Sequence, residues 1–344
     1  MFWVEKYTPT SFNSPSFLFN KNIVPILKNI SKGELNHPHI CFYGIRGSGK
    51  YTLARCFLRE IFGSTIYDIR KKYITLSKKQ IVCMASSYHF EFYGNQYTKY
   101  SSEEFTEILD SIANHICVDN YNTVNPEDNR PLYVLIRNIN MWDSYIYPLI
   151  KHISEKYNET LRFIVTSSTF GRELPNFSMI RIPQPSKKEI IDWIYGIFEN
   201  EEIEITLKIT NAVKDYIRRN NNYHLSEYVT AFERHHATLF MDINKPNVYE
   251  KNCKLILQMI RTKRIESYLK IRPLLVECVL KETQLEFIKY MLYSLVQQPW
   301  ITDKQKIKIT HCAAIISHRL AFKGITKTVV HSEAFIMKVF TILS

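Results

Sequence analysis

The segment Cys41 to Phe57, CFYGIRGSGKYTLARCF, carries the residues of this chain best suited to chemistry. Gly44, Gly49 and Lys50 fit the spacing G-x-x-x-x-G-K, with Gly47 and Ser48 inside it, the apolar run HICFY before it and a helical pattern after it. In that setting glycines let successive backbone N–H groups wrap a phosphate, the helix N-terminus adds the positive end of its dipole, and the lysine neutralises terminal phosphate charge. The position after the lysine normally holds Ser or Thr, whose hydroxyl completes the shell of a magnesium ion. Here it is Tyr51. A phenol carries its oxygen too far out for that role, so either Thr52 substitutes imperfectly or metal binding is weakened. Nucleotide binding survives such a change more readily than hydrolysis.

Hydrolysis also needs carboxylates at the end of a nearby strand, one to hold the metal and one to align the attacking water. The candidate strand LYVLIRNIN, 132–140, offers Arg137 and Asn138 at its tip, and neither is a base or an anionic ligand. Asp143, further along, reads as a helix cap.

Those groups need a scaffold. From Ile40 to Phe198, apolar β-type runs alternate with helical patterns, which argues a parallel sheet covered on both faces. The run IVCMASSYHFEF ends in an alternation of Tyr88, Phe90 and Phe92, expected at an edge strand or hairpin. The prolines of IPQPS, 182–186, change the texture: Ser186 is placed to cap a following helix, and the chain from there to Ser344 is almost wholly helical in pattern. The expected divisions are a sheet domain at 1–182, a small helical segment at 183–243 and a second helical domain at 244–344.

Composition narrows the class. A chain of 344 residues that is 45% hydrophobic has ample core, and its formal charge of +12 favours a polyanionic neighbour, nucleic acid foremost. The seven cysteines are scattered singly, as expected for buried thiols in a reducing compartment. No apolar run approaches the roughly 20 residues of a membrane span, so no membrane partner is expected.

The opening WVEKYTP resembles the WVEKYRP opening of replication factor C small subunits, the AAA+ clamp-loader ATPases. SSYHFEF, EKYNETLRFIV, IPQPS and the C-terminal run HRLAFKGITKTVVHSEAFIMKVF also match, so the resemblance touches essentially the whole chain. It is nearest to the small subunit at the end of the loader spiral, the counterpart of bacterial delta prime, whose loop reads GKKT where this one reads GKYT. The resemblance implies an α/β fold: a RecA-like AAA+ P-loop domain with a parallel sheet, a helical lid and an all-α collar that joins subunits into a hetero-pentamer. It implies partners as well, namely the other loader subunits, a sliding clamp and primer-template DNA, and a location in the nucleus.

By the same resemblance, Gly47, Gly49, Lys50 and Thr52 match the phosphate loop, Val4, Tyr7 and Pro9 the segment lining the base pocket, with Thr8 where an arginine is usual. His224 falls where the lid supplies an arginine to the phosphates, and Ser168 near the polar asparagine that senses the terminal phosphate. The arginine finger expected just before MIRIPQPS is absent, ELPNFS standing there, with Arg172 and Arg181 nearby. The helix SSEEFTEILDSIANHI, with Ser102 as its cap, carries a stripe of Phe105, Ile108, Leu109 and Ile112 that would pack in the core or dock a clamp groove. Lys151 and His152 fall where the family has a DNA-facing Arg-Arg pair. The basic stretches DIRKKY and LSKKQ read as loop on any face. Together these readings give a catalytically impaired loader subunit whose pocket holds ADP or ATP as a structural ligand, or stands empty. The alternatives are an active AAA+ ATPase with unrecognised acids, or a loader-like adaptor in another complex.

Overall fold

The computed structural model describes residues 2–14, 22–33, 37–76, 80–93, 101–119, 131–142, 145–168, 170, 174–219, 224–236, 248–262, 266–281, 284–322 and 329–343. The chain forms two compact units, 1–244 and 245–344.

Among the described residues, the first unit is built on seven strands, β1 (His39–Tyr43), β2 (Arg70–Thr75), β3 (Gln80–Ala85), β4 (His89–Tyr93), β5 (Leu132–Arg137), β6 (Leu161–Ser167) and β7 (Phe177–Arg181). Their order is β2-β3-β4-β5-β6-β1-β7. The run from β4 to β7 is parallel, and the β2–β3 and β3–β4 pairs are antiparallel. This is the expected RecA-like arrangement, extended by a hairpin.

The β2–β3–β4 region bears on two of the sequence expectations. Phe90 and Phe92 enter β4, paired with β3 as the expected hairpin but lying inside the sheet against β5, while Tyr88 stands in the bend before it; residues 70–73 of DIRKKY belong to β2 at the edge rather than to a loop. The edge tolerates lysines because its outward side chains stay in water.

The strand pleat sorts side chains onto two layers. Ile40, Phe42, Tyr133, Leu135 and Ile164 point to α3 (Lys50–Phe62), which follows α1 (Trp3–Tyr7) and α2 (Ile23–Ser31). Cys41, Val134, Ile136, Phe163 and Val165 point the other way, to α4 (Ser102–Asp119) and α5 (Ile146–Lys156). The stripe Phe105, Ile108, Leu109 and Ile112 of α4 is fully buried there, which removes it as a clamp-docking surface. Its cap is Ser101 rather than Ser102: the Glu104 backbone N–H donates to Ser101 Oγ (3.2 Å) and the Ser101 N–H to Glu104 Oε2 (2.9 Å), a reciprocal capping box. Asp143 lies outside the described residues.

Helices α6 (Lys187–Asn200), α7 (Leu207–Arg219) and α8 (Leu225–His236) form a small cluster around Ile194, Phe198, Ile217 and Phe232 that also takes in Trp3 of α1. Ser186 caps α6 through a capping box with Glu189.

The described elements of the second unit are helices, α9 (Val248–Thr262), α10 (Glu266–Lys281), α11 (Gln284–Val296), α12 (Asp303–Phe322) and α13 (Val330–Leu343), around a core that includes Ile256, Leu275, Phe287, Ile309 and Phe335. The six described free cysteines are buried, but two are not solitary: Cys253 and Cys278 sulfurs lie 3.9 Å apart between α9 and α10. Among the described residues, no helix is long and apolar enough to cross a membrane.

Candidate nucleotide site

Strand β1 delivers the chain into the glycine loop and α3 carries it away. Gly47 (φ +81°) and Gly49 (φ +83°) adopt left-handed backbone, and Gly44 has φ +153°. These conformations favour residues without Cβ. Space reinforces the requirement: a Cβ on Gly44 would sit 2.2 Å from the Ile182 carbonyl oxygen, and one on Gly47 would sit 2.5 Å from His224 Nδ1.

Lys50 opens α3 and is almost fully buried. Its Nζ donates to the carbonyls of Gly44 (2.7 Å) and Ile45 (2.8 Å). Desolvation, helped by neighbouring Arg46, lowers its pKa to about 8. Ser48 is buried too, and its Oγ has no hydrogen-bond partner among the described residues. A tight loop, helix N-terminus, buried ammonium and unpartnered hydroxyl fit the phosphates of a nucleotide.

The metal's side of the site is built differently. Because β4 and β5 run parallel in register, Glu91 opposite Leu135 and Tyr93 opposite Arg137, the pleat sends Glu91, Tyr93 and Arg137 to the face under α3. There they meet Tyr51. Its phenol donates to Glu91 at 2.8 Å to one carboxylate oxygen and 3.0 Å to the other. The Arg137 guanidinium lies 3.6 Å from the centre of the Tyr51 ring and 4.8 Å from that of Tyr93, a double cation–π stack. Arg55 stands on the same ring at 5.6 Å. His89 Nε2 bonds the Glu91 carboxylate at 3.2 Å.

Burial alone would raise the Glu91 pKa; the bonds from His89 and Tyr51 outweigh it and hold the carboxylate below its usual range. Burial and Glu91 together push the Tyr51 phenol up to about 12, keeping it a donor. The residues here do not fit a divalent cation. The nearby carboxylate accepts from Tyr51 and His89, and the strand tip presents a guanidinium.

The remaining strand-tip residues tie the sheet together. Asn138, in left-handed backbone, donates its N–H to Thr166 Oγ1 (2.9 Å), and Ser168 N–H donates to the Asn140 side chain (3.0 Å). Thr52 is half-buried in the first turn of α3. His224 sits against Gly47 just before α8, with the Leu225 N–H directed at the Gly47 carbonyl (3.5 Å), so the lid helix begins at the phosphate loop.

The N-terminal segment straps the lid to α3. Val4 and Tyr7 pack on the lid cluster, Tyr7 donates to Glu201 Oε1 (2.6 Å), and the Pro9 carbonyl faces Cys56 Sγ (3.4 Å). Lys151 and His152 lie elsewhere, exposed on the outer face of α5. Arg181 is exposed at the end of β7, and Arg172 lies outside the described residues.

Sequence reasoning found the loop and the missing acids but not Glu91 or the stack it anchors. The available signal was a glutamate between Phe90 and Phe92 of a strand, since an acid held inside a sheet needs a partner.

No family model matches the chain. Among curated proteins it is similar to replication factor C subunit 5 of Saccharomyces cerevisiae, 24% identical over 356 residues that cover 98% of each chain. It is similar also to replication factor C subunit 3 of Homo sapiens, 24% identical over 351 residues, 98% of this chain and 94% of the relative. Among solved structures, a variant of Thermotoga maritima RuvB overlaps 96% of this chain and 91% of its own with 13% identity and a TM-score of 0.45.

Proposed function

We infer that this chain is a small subunit of a replication factor C-type sliding-clamp loader, one that binds nucleotide without hydrolysing it and holds the end position of the loader spiral. The observation that carries the loader reading is similarity spanning 98% of both chains to a replication factor C subunit, with the glycine loop intact within it. The impaired chemistry is supported by Tyr51 being engaged with Glu91 and by Arg137 at the strand tip. The end position is supported by GKYT and by ELPNFS replacing the segment that would offer an arginine to a neighbour's site.

In this reading residues 1–182 form the nucleotide-binding domain, 183–243 the lid and 244–344 the collar. The collar's exposed Leu269, Tyr293 and Ile307 belong to subunit contacts within a hetero-pentamer. Val4, Tyr7 and Pro9 frame the base side of ADP or ATP, and His224 faces the phosphates from the lid. Lys151 and His152 touch the backbone of primer-template DNA as point charges that read no sequence, which suits a loader working at any primer junction in the nucleus. The whole assembly acts on a sliding clamp.

Co-purification tests the loader reading. A tagged full-length chain should bring down other loader subunits in fixed ratio, and recovery of none of them would favour the adaptor alternative. Phosphate release tests the chemistry: the isolated chain should show none above background with Mg²⁺ and ATP. Turnover that Lys50→Ala abolishes would establish the active-ATPase alternative, with Glu91 as the acid to examine first.

A further inference from the structure

The phosphate cradle and the metal's side of this pocket disagree about what they accept. In the cradle, glycine backbone, the buried Ser48 hydroxyl and Lys50 suit an anion. On the other side, where a phosphate loop places a small hydroxyl and a strand-tip carboxylate around a cation, stand a phenol and a guanidinium stacked at 3.6 Å. Their surroundings fix them there. Glu91 receives the phenol with both oxygens, His89 holds Glu91, Tyr93 supports Arg137 from the adjacent strand, and Arg55 approaches the phenol ring from α3.

A divalent ion entering this space would meet two guanidinium groups and would have to take Glu91 from its hydrogen bonds. Like charges at such range repel more strongly in a partly buried site than in water. The same cations complement a polyphosphate.

We propose that this pocket takes a nucleoside di- or triphosphate without a divalent cation, the Tyr51–Arg137–Glu91 assembly occupying the metal's side of the site. The proposal rests on the reading that the glycine loop binds nucleotide, and it assigns a role to residues that the loss of hydrolysis leaves unexplained. A site that had merely decayed would have no reason to keep a buried glutamate bonded to a tyrosine on whose ring an arginine stacks. Metal independence would let the subunit hold its nucleotide through cycles in which catalytic sites exchange theirs together with magnesium.

The test is binding of a fluorescent N-methylanthraniloyl ADP to the full-length chain, titrated once in excess EDTA and once in excess Mg²⁺. Affinities within about twofold of each other are expected, together with a loss of at least about tenfold in Lys50→Ala under both conditions. A second arm uses the Tyr51→Thr/Arg137→Asp double variant, checked for folding by its thermal melt. It should bind about tenfold more tightly with Mg²⁺ than with EDTA. Should the double variant fail to fold, the wild-type comparison still decides.

Wild-type affinity that collapses in EDTA overturns the proposal. Absence of binding in both conditions overturns it as well and leaves the loader-subunit reading standing, because co-purification tests that reading separately. Equal affinities in a chain that recovers no loader subunits would support metal-free binding and sink the loader reading.

Discussion

At the scale of single residues, Lys50 sets the pH behaviour of the pocket. Burial beside Arg46 lowers its pKa to about 8, and a bound phosphate would favour the ammonium again. Above pH 8 the free protein loses this charge, so binding must take up a proton and affinity must fall, by at most about tenfold per pH unit up to the pKa of the complex. Calorimetric titration of ADP at pH 9, in buffers of differing ionisation enthalpy, should reveal proton uptake. Affinity that stays level from pH 7 to well above 9 would show that Lys50 does not meet the phosphates. The glycine and lysine spacing of this loop was legible in the sequence because it is local. The fate of Tyr51 was not, because its partner Glu91 lies forty positions away and reaches it only through sheet register.

At the scale of elements, His39 couples β1 to β6. Its Nδ1 accepts the Phe163 backbone N–H at 3.1 Å, which requires the neutral ring, and burial followed by the Arg162 charge lowers its pKa from 6.5 to about 4. The unfolded chain therefore binds more protons than the folded one between those values, and stability present above pH 6.5 is lost as pH falls toward 4. The loss amounts to about 3 kcal/mol from this residue. Urea unfolding midpoints across that range should show the decline. In His39→Asn, whose amide oxygen still accepts the bond without titrating, this contribution should vanish; an unchanged acid limb would assign the decline to other groups.

The loop–lid junction makes a second prediction at this scale. Gly47→Ala meets both left-handed backbone and His224, so it should destabilise the first unit by roughly 2–4 kcal/mol. Gly49→Ala has the left-handed backbone with open space around it, and should cost only about 1 kcal/mol. Equal thermal shifts in the two variants would mean that the His224 contact contributes nothing. Strand and helix alternation gave away the layered unit and the cap at Ser186. The β2–β3 hairpin stayed hidden because DIRKKY carries the charge of a loop, and only edge position makes that charge compatible with a strand.

At the scale of the whole molecule, the net charge of +12 is a statement about partners rather than fold. If α5 faces the DNA backbone in the assembled loader, Lys151→Glu with His152→Glu should weaken primer-template binding about tenfold and flatten its salt dependence, equally for any sequence. Folding should be untouched, since both side chains are exposed. Fluorescence anisotropy of labelled primer-template across a salt series checks this, and an unchanged slope would remove α5 from the interface.

The sequence by itself determined the phosphate loop, the missing acids at the β5 tip, the change from sheet to helices at IPQPS and the resemblance along the whole chain. Each of those is written in contiguous residues or in a short-range period. Tertiary structure alone decided that α4 spends its apolar stripe on the core, and that Tyr51, Glu91 and Arg137 form one stacked and hydrogen-bonded group. Both depend on which strands lie side by side and which face each residue takes, quantities fixed by long-range pairing and burial that no local pattern encodes.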